Sequence, residues 1–291
     1  MTMTSPTTQA PLRILIVNCY PAASRENFDR QDVGHPHDLF KAFLAIEAPS
    51  ATTEIVYVAD PEFALPPGKT IADYDAFIWT GSDLTVYKTE DPRVATQITF
   101  ANELMDAGAI CWGSCWGLQL ASLVAGGEVA ANPKGREWGI ARGITLTEAA
   151  AAAPMHVGKP AKFDAFIMHL DEVVRLPDGT PLLATNEHTH IQAAIVERGS
   201  AAFWTTQYHP EYNLHEMGRL IAARAKALVR EGFFPDEERV AIYAANMMEL
   251  AAHPASSDLR AELNVGDDVI HAEIRQVELR NWLRAVEARL G

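Results

Sequence analysis

Residues Ala109–Ala125 read AICWGSCWGLQLASLVA, and this stretch decides the fold. Ala109–Trp112 is a short apolar strand, Gly113-Ser114-Cys115-Trp116-Gly117 a turn, and Leu118–Ala125 a helix. An apolar strand passing at once through a glycine-flanked turn into a helix is a building block of a parallel sheet. A side chain on such a turn points out at the carboxyl end of the sheet, where α/β folds bind ligands. The turn crowds the positions two before and two after it, so both favour glycine, which has no Cβ. The helix start adds free N–H groups and a positive dipole end. These features lower a thiol's pKa and stabilise a developing oxyanion, here through the N–H of Trp116. Cys115 is therefore a candidate nucleophile. A lone G-x-C-x-G describes a buried structural cysteine equally well, so its weight depends on what accompanies it. Cys111 lies within the strand and reads as core. Cys19 follows the first strand without glycine flanks and is assigned no chemistry.

Working upstream, Leu12–Asn18 (LRILIVN) is a nearly continuous apolar run, the pattern of a strand buried on both faces. A polar loop through Pro21–Pro36 precedes a helix over His37–Glu47, and strands follow at Thr53–Val58 and Tyr74–Trp79. Pro92–Asp106 reads as a helix with Pro92 in its first turn. The alternation predicts a doubly wound, mostly parallel sheet of flavodoxin-like type. Downstream of Gly126 the texture changes. Ile140–Leu146, Ala165–His169, Ile191–Val196 and Ala202–Gln207 look like strands without helices between them, so added antiparallel strands are expected. Glu148–Ala153 reads as a helix end or a loop. Leu214–Arg230 returns to helical spacing, and Ile270, Ile274, Val277, Leu283, Val286 and Leu290 approximate one helical stripe. The organisation expected is a disordered tail over 1–10, a catalytic domain over 11–232, and a helical C-terminal extension over 233–291 packed on that domain.

Composition narrows the function. The 291 residues are 48% hydrophobic and 21% charged, as in an ordinary globular chain that folds without disulfides or metal. A net charge of −14 argues against nucleic acid or an anionic membrane surface as partner, because both would be repelled. Three cysteines form no disulfide framework and suit a reducing compartment. The polar N-terminus lacks the basic-then-apolar pattern of a signal peptide, and no apolar stretch is long enough to span a bilayer. A cytoplasmic protein is expected.

A thiolate nucleophile needs a proton acceptor that later protonates the leaving amine, and imidazole suits both tasks near neutrality. Ten histidines compete. Tyr208-His209-Pro210-Glu211 follows an apolar strand and precedes a helix. In an extended segment residues two apart project to the same side, so Glu211 can reach a ring nitrogen of His209, fix its tautomer and stabilise the imidazolium. Pro210 restricts the backbone between them. Alone, an H-x-E is more simply a surface pair. His35 and His37 lie in a Pro-containing loop, and His188 and His190 flank Thr189. His156, His215, His253 and His271 stand in no suggestive pattern.

With Cys115, His209 and Glu211 in hand, the chain resembles class I glutamine amidotransferases, particularly the glutaminase domain of GMP synthase and its free-standing relatives. Their G-x-C-x-G-x-Q turn is matched by Gly113, Cys115, Gly117 and Gln119, and their late H-P-E by His209-Pro210-Glu211. Trp79-Thr80-Gly81-Ser82-Asp83 is similar to the loop that supplies an oxyanion N–H. The family's Gly-Gly-Pro is Gly-Ser-Asp here, so either Gly81 or Ser82 is the donor. Gly126-Gly127-Glu128-Val129, Asn132-Pro133, Gly135-Arg136-Glu137 and His169-Leu170-Asp171-Glu172-Val173 add matches in the family's order over roughly residues 12–230. An α/β-hydrolase places its acid well before its histidine, and a phosphate-binding loop needs G-x-x-x-x-G-K-[ST]; neither pattern is present.

The resemblance implies hydrolysis of a γ-glutamyl amide through a γ-glutamyl thioester. Cys115, His209 and Glu211 form the triad, and Trp116 with Gly81 or Ser82 forms the oxyanion hole. Gln119 and the backbone of His169, Leu170 and Asp171 grip the glutamyl moiety, His169 itself being structural. The expected partner is a small γ-glutamyl substrate, with no cofactor and no metal. GMP synthases continue into a synthetase domain with an S-G-G-x-D-S motif, which the roughly sixty residues after Phe234 neither contain nor could hold. A free-standing hydrolase is expected. The alternative is a glutaminase subunit delivering ammonia to a separate synthetase or ligase partner.

Overall fold

The computed structural model describes residues 11–291, so the tail expected over 1–10 lies outside the described residues. The chain runs β1 (Arg13–Asn18), α1 (Ala22–Arg30), α2 (Pro36–Glu47), β2 (Thr52–Tyr57), β3 (Ala76–Trp79), α3 (Pro92–Asp106), β4 (Ile110–Ser114) and α4 (Trp116–Val124). It continues through β5 (Glu128–Ala131), β6 (Glu137–Leu146), β7 (Lys162–His169), β8 (Asp171–Arg175), β9 (Ala184–Thr185), β10 (Ala193–Arg198) and β11 (Ala201–Thr206). Seven helices follow: α5 (Leu214–Ala223), α6 (Ala225–Arg230), α7 (Glu237–Ala252), α8 (Ser257–Leu263), α9 (Asp267–Ile270), α10 (Ala272–Arg275) and α11 (Val277–Leu290).

Nine strands form one sheet in the order β2-β1-β3-β4-β11-β10-β9-β6-β7. From β2 to β11 the strands are parallel; from β11 to β7 each neighbour is antiparallel. The doubly wound sheet with added antiparallel strands is therefore the fold. β5 and β8 pair separately as an antiparallel ribbon. In β1, Ile14 and Ile16 join one core while Leu15 and Val17 join the other, which is why the run reads as continuously apolar. Helices α3 and α4 cover the second face through Val94, Phe100, Leu104, Leu118 and Leu120. No helix among the described residues is long and apolar enough to cross a membrane.

Three expectations need correction. The segment expected to be loop through Pro21–Pro36 contains α1, whose sole buried residue is Phe28, too little apolar content to show a period. Leu214–Arg230 is two helices, because Arg224 at φ −103°, ψ 10° ends α5 and starts α6. The C-terminal stripe spans three helices, and Leu290 is exposed. The face that α11 buries is Leu279, Trp282, Leu283 and Val286, which share the first core with α2. Trp282 packs edge-on to Trp112 of β4 at 6.4 Å. The Glu148–Ala153 stretch contains a short 3-10 turn over Glu148–Ala152.

A buried ion pair fixes α11 to the sheet. Lys159 Nζ donates to Glu278 Oε2 at 3.0 Å and to the carbonyls of Ile274 and Arg275 at 3.0 and 3.1 Å, and it lies 4.4 Å from the Phe163 ring centroid. Glu278 Oε1 accepts the Tyr208 hydroxyl at 2.6 Å. Both charged side chains are essentially without solvent contact, so removing one leaves the other uncompensated. Glu278→Ala is expected to lower the unfolding free energy by roughly 3–5 kcal/mol. Urea titration at pH 7 checks this, and a loss below about 1 kcal/mol, the range of exposed pairs, would contradict it.

Candidate active site

β4 ends at Ser114 and α4 begins at Trp116, leaving Cys115 alone between them at φ 52°, ψ −91°. Among the described residues only Asp32, Cys115 and Asn264 have positive φ without being glycine. Such a conformation costs on the order of 1–3 kcal/mol and persists where the surroundings impose it. Here the Cys115 N–H donates to Thr206 O at 2.6 Å, and Cys115 O accepts from the N–H groups of Leu118 and Gln119 at 3.1 and 3.2 Å. The crowding expected at both flanking glycines falls on one of them. A Cβ on Gly113 would lie 2.8 Å from Gly117 Cα, whereas one on Gly117 would meet Trp79 Cβ at an ordinary 3.5 Å.

The parallel register of β4 and β11 pairs Ser114 with Thr206, so the turn and the segment after Thr206 leave the sheet side by side. His209 is held there by its N–H, which donates to Phe166 O at 2.8 Å. Its Nδ1 lies 2.7 Å from Glu211 Oε1. Glu211 Oε2 accepts the Ser114 hydroxyl at 2.8 Å, and Ser114 Oγ accepts the Trp112 indole N–H at 3.0 Å. Ser114 is a supporting residue that sequence reasoning missed. The available signal was that Trp112 and Ser114 are two apart on one strand and share a face.

Burial pushes the His209 pKa down, but Glu211 and Cys115 together push harder in the other direction, to about 10. The Cys115 thiol donates weakly to Met168 O at 3.7 Å. It is near enough to raise the imidazole's proton affinity, and His209 Nε2 is buried with no other partner among the described residues. Tyr212 packs edge-on to the imidazole at 5.3 Å.

The loop after β3 closes the site. A Cβ on Gly81 would lie 3.2 Å from His209 Cε1 and 3.4 Å from the Tyr20 hydroxyl, so a larger residue would press on the imidazole. Ser82 Oγ donates to Cys19 O at 2.9 Å and accepts the Leu84 N–H at 3.3 Å, stapling the loop to the end of β1. Among the described residues the N–H groups of Gly81, Ser82 and Trp116 have no acceptor, so both candidate donors on this loop stand open. Cys19 and Cys111 are fully buried. Burial pushes both thiols far above their ordinary pKa.

Gln119, His169, Leu170 and Asp171 line the same cavity. Gln119 Nε2 donates to Asp171 O at 2.7 Å, and His169 Nδ1 lies 2.9 Å from the same oxygen. Gln119 and His169 thus hold the backbone of this segment, and Leu170 is exposed beside it. His169 Nε2 lies 3.1 Å from Glu137 Oε2, and that carboxylate also takes Asn186 at 2.7 Å and Gln192 at 3.3 Å. Glu137, His169 and His188 bring one ligand atom each within 4.8 Å of one another, spacing that could hold a metal ion. The donors already on Glu137 account for the cluster as a brace behind residues 169–171.

These residues surround a cavity of about 480 Å³ lined by Tyr20, Ser82, Cys115, Gln119, His169–Asp171, His209 and Arg224, among others. A larger hollow of about 700 Å³ lies where β3 and β4 begin, against Val286 and Leu290 of α11, and contains none of them. A thiol on a strained turn, beside a buried imidazole–carboxylate pair and free amide donors, can attack a carbonyl carbon and protonate the group that leaves.

The sequence model of glutamine amidotransferase class-I matches residues 80–226. A gamma-glutamyl-L-1-hydroxyisopropylamide hydrolase from Pseudomonas sp is 34% identical over 279 residues, covering 94% of this chain and 92% of its own. A glutamine-hydrolyzing GMP synthase from Thermotoga sp. (strain RQ2) is 34% identical over 159 residues, covering 54% of this chain and 28% of its own. The crystal structure of a glutamine amidotransferase from Thermotoga maritima superposes with a TM-score of 0.64 at 17% identity, covering 94% of this chain and 97% of the other.

The His209 pKa, raised to about 10, supplies a pH prediction. A group whose pKa rises on folding contributes stability that is full below its unfolded value, near 6.5, and is lost as pH rises through the folded value. Glu211→Gln removes the neighbouring charge but not the burial, so the imidazole midpoint should fall from about 10 toward or below 6.5. NMR titration of the His209 ring reads this directly. An unmoved midpoint would show that Glu211 does not hold the charge.

Proposed function

Because the chain belongs to the class I glutamine amidotransferase family, we propose that it is a cysteine-dependent hydrolase of γ-glutamyl amides with Cys115, His209 and Glu211 as its triad. The observation that carries this reading is the strained Cys115 turn opening into a cavity beside the His209–Glu211 pair.

In the reaction the Cys115 thiolate forms a C–S bond to the γ-carboxamide carbon, and the carbonyl π electrons move to oxygen. The N–H of Trp116 and that of Gly81 or Ser82 donate to this oxyanion. As the oxyanion collapses, the C–N bond breaks and the His209 imidazolium gives its proton to the departing amine. The γ-glutamyl thioester remains. His209 then takes a proton from water, whose oxygen bonds to the same carbon. The C–S bond breaks with its electrons on sulfur, releasing glutamate. Glu211 keeps the imidazole oriented and stabilises its charged form. The backbone of 169–171, steadied by Gln119, holds the glutamyl end. Three free, buried cysteines agree with a cytoplasmic enzyme.

The second reading is delivery of ammonia to a separate synthetase or ligase, and the GMP synthase relative favours it. The hydrolase reading is preferred because the Pseudomonas relative matches over 92% of its length and the GMP synthase over 28%. Purified protein alone is expected to release glutamate from glutamine or N-substituted γ-glutamyl amides. Cys115→Ala should abolish this, while Glu211→Gln should slow it by roughly 10²–10⁴-fold. A γ-glutamyl adduct on Cys115 should appear by mass spectrometry after rapid acid quench. No glutamate from any amide would overturn the reading, and release only with an added synthetase would favour the second.

A further inference from the structure

Three guanidinium groups line the cavity: Arg136, Arg224 and Arg230. Arg136 donates to Glu231 at 2.9 Å, and Arg230, which is exposed, reaches the same carboxylate at 4.0 Å. Half-buried Arg224 has no hydrogen-bond or ion-pair partner for its side chain among the described residues. The carboxylates of the cavity are engaged elsewhere. Glu231 accepts from Arg136 and from the Trp138 indole at 3.3 Å, Asp171 from the Tyr87 hydroxyl at 3.1 Å, and Asp83 from the Ser24 hydroxyl at 2.7 Å. A partly desolvated cation without an acceptor is unfavourable until something brings one.

Its position says what that something is. Arg224 ends α5, and its charge acts on the Tyr20 and Tyr212 hydroxyls, partly opposing the rise in pKa that burial causes in both. Tyr212 packs on His209, and Tyr20 and the imidazole approach the Gly81 position together. Arg224 therefore stands near the two tyrosines that flank His209, and it lines the same cavity as Cys115. The nitrogen that leaves must face the imidazole that protonates it, so whatever it carries extends toward Arg224.

Resting on the γ-glutamyl hydrolase reading above, we propose that Arg224 recognises the leaving group and that preferred substrates are γ-glutamyl amides of α-amino acids, whose carboxylate pairs with this guanidinium. This differs from the relative named for a hydroxylated, uncharged amide.

The test compares γ-glutamyl-glycine with γ-glutamyl-glycinamide, which differ in the carboxylate alone. The wild type is expected to favour the first in kcat/KM by roughly tenfold or more, the range of a charge-assisted hydrogen bond. Arg224→Gln should collapse this ratio toward one, and Arg224→Lys, keeping the charge without the fork, should retain part of it. Raising the salt should erode the wild-type ratio. Equal rates for the two amides in the wild type, or a Gln variant that slows both by the same factor, would overturn the proposal while leaving the hydrolase reading intact. If no amide yields glutamate, both fall together.

Discussion

The parallel pairing of β4 with β11 is the constraint on which the rest depends. It sets Ser114 beside Thr206, lets the Cys115 N–H bond to Thr206 O at 2.6 Å, and sends the Cys115 turn and the His209 segment out of the sheet at neighbouring points. The Ser114–Glu211 bond then carries the pairing one layer further, from backbone to side chain. A slip of one residue would turn Ser114 away from Glu211 and break the link between the two halves of the site. The positive φ at Cys115 persists because these bonds over-determine it.

How much of this was legible in the sequence depended on whether a signal was local. Continuous apolar runs marked β1 and β4 because those strands are buried on both faces, and Pro92 in its first turn marked α3, whose bounds the structure shares. Gly113 and Gly117 marked the turn. His209 and Glu211 could be paired because an extended backbone fixes which way side chains two apart point. Missed features lacked such a signal. Helix α1 has one buried residue and a polar remainder, so it shows no period. The break at Arg224 carries neither glycine nor proline. Ser114 became meaningful only once Glu211, distant in sequence, came within 2.8 Å. Gln119, expected to grip a ligand, has its amide on Asp171 O, and the segment so held lines the cavity.

The site is asymmetric in how tightly its walls are made. On the Gln119 side, polar atoms meet polar atoms: Asp171 O takes two donors, and Glu137 is ringed by His169, Asn186 and Gln192. Around His209, among the described residues, Nε2 of the imidazole and the guanidinium of Arg224 have no acceptor, and the amide donors of Gly81, Ser82 and Trp116 are open. Preorganised but unsatisfied groups are what a reaction centre requires, because donors that already point at the place where charge develops need not reorganise when it does.

Tyr208 immediately precedes His209, and its hydroxyl is held by Glu278 on α11, the last helix in the chain. The same carboxylate holds Lys159, and Trp282 of that helix packs edge-on to Trp112. The backbone leading into the imidazole is thus tied, through one hydroxyl, to a helix 70 residues further along the sequence.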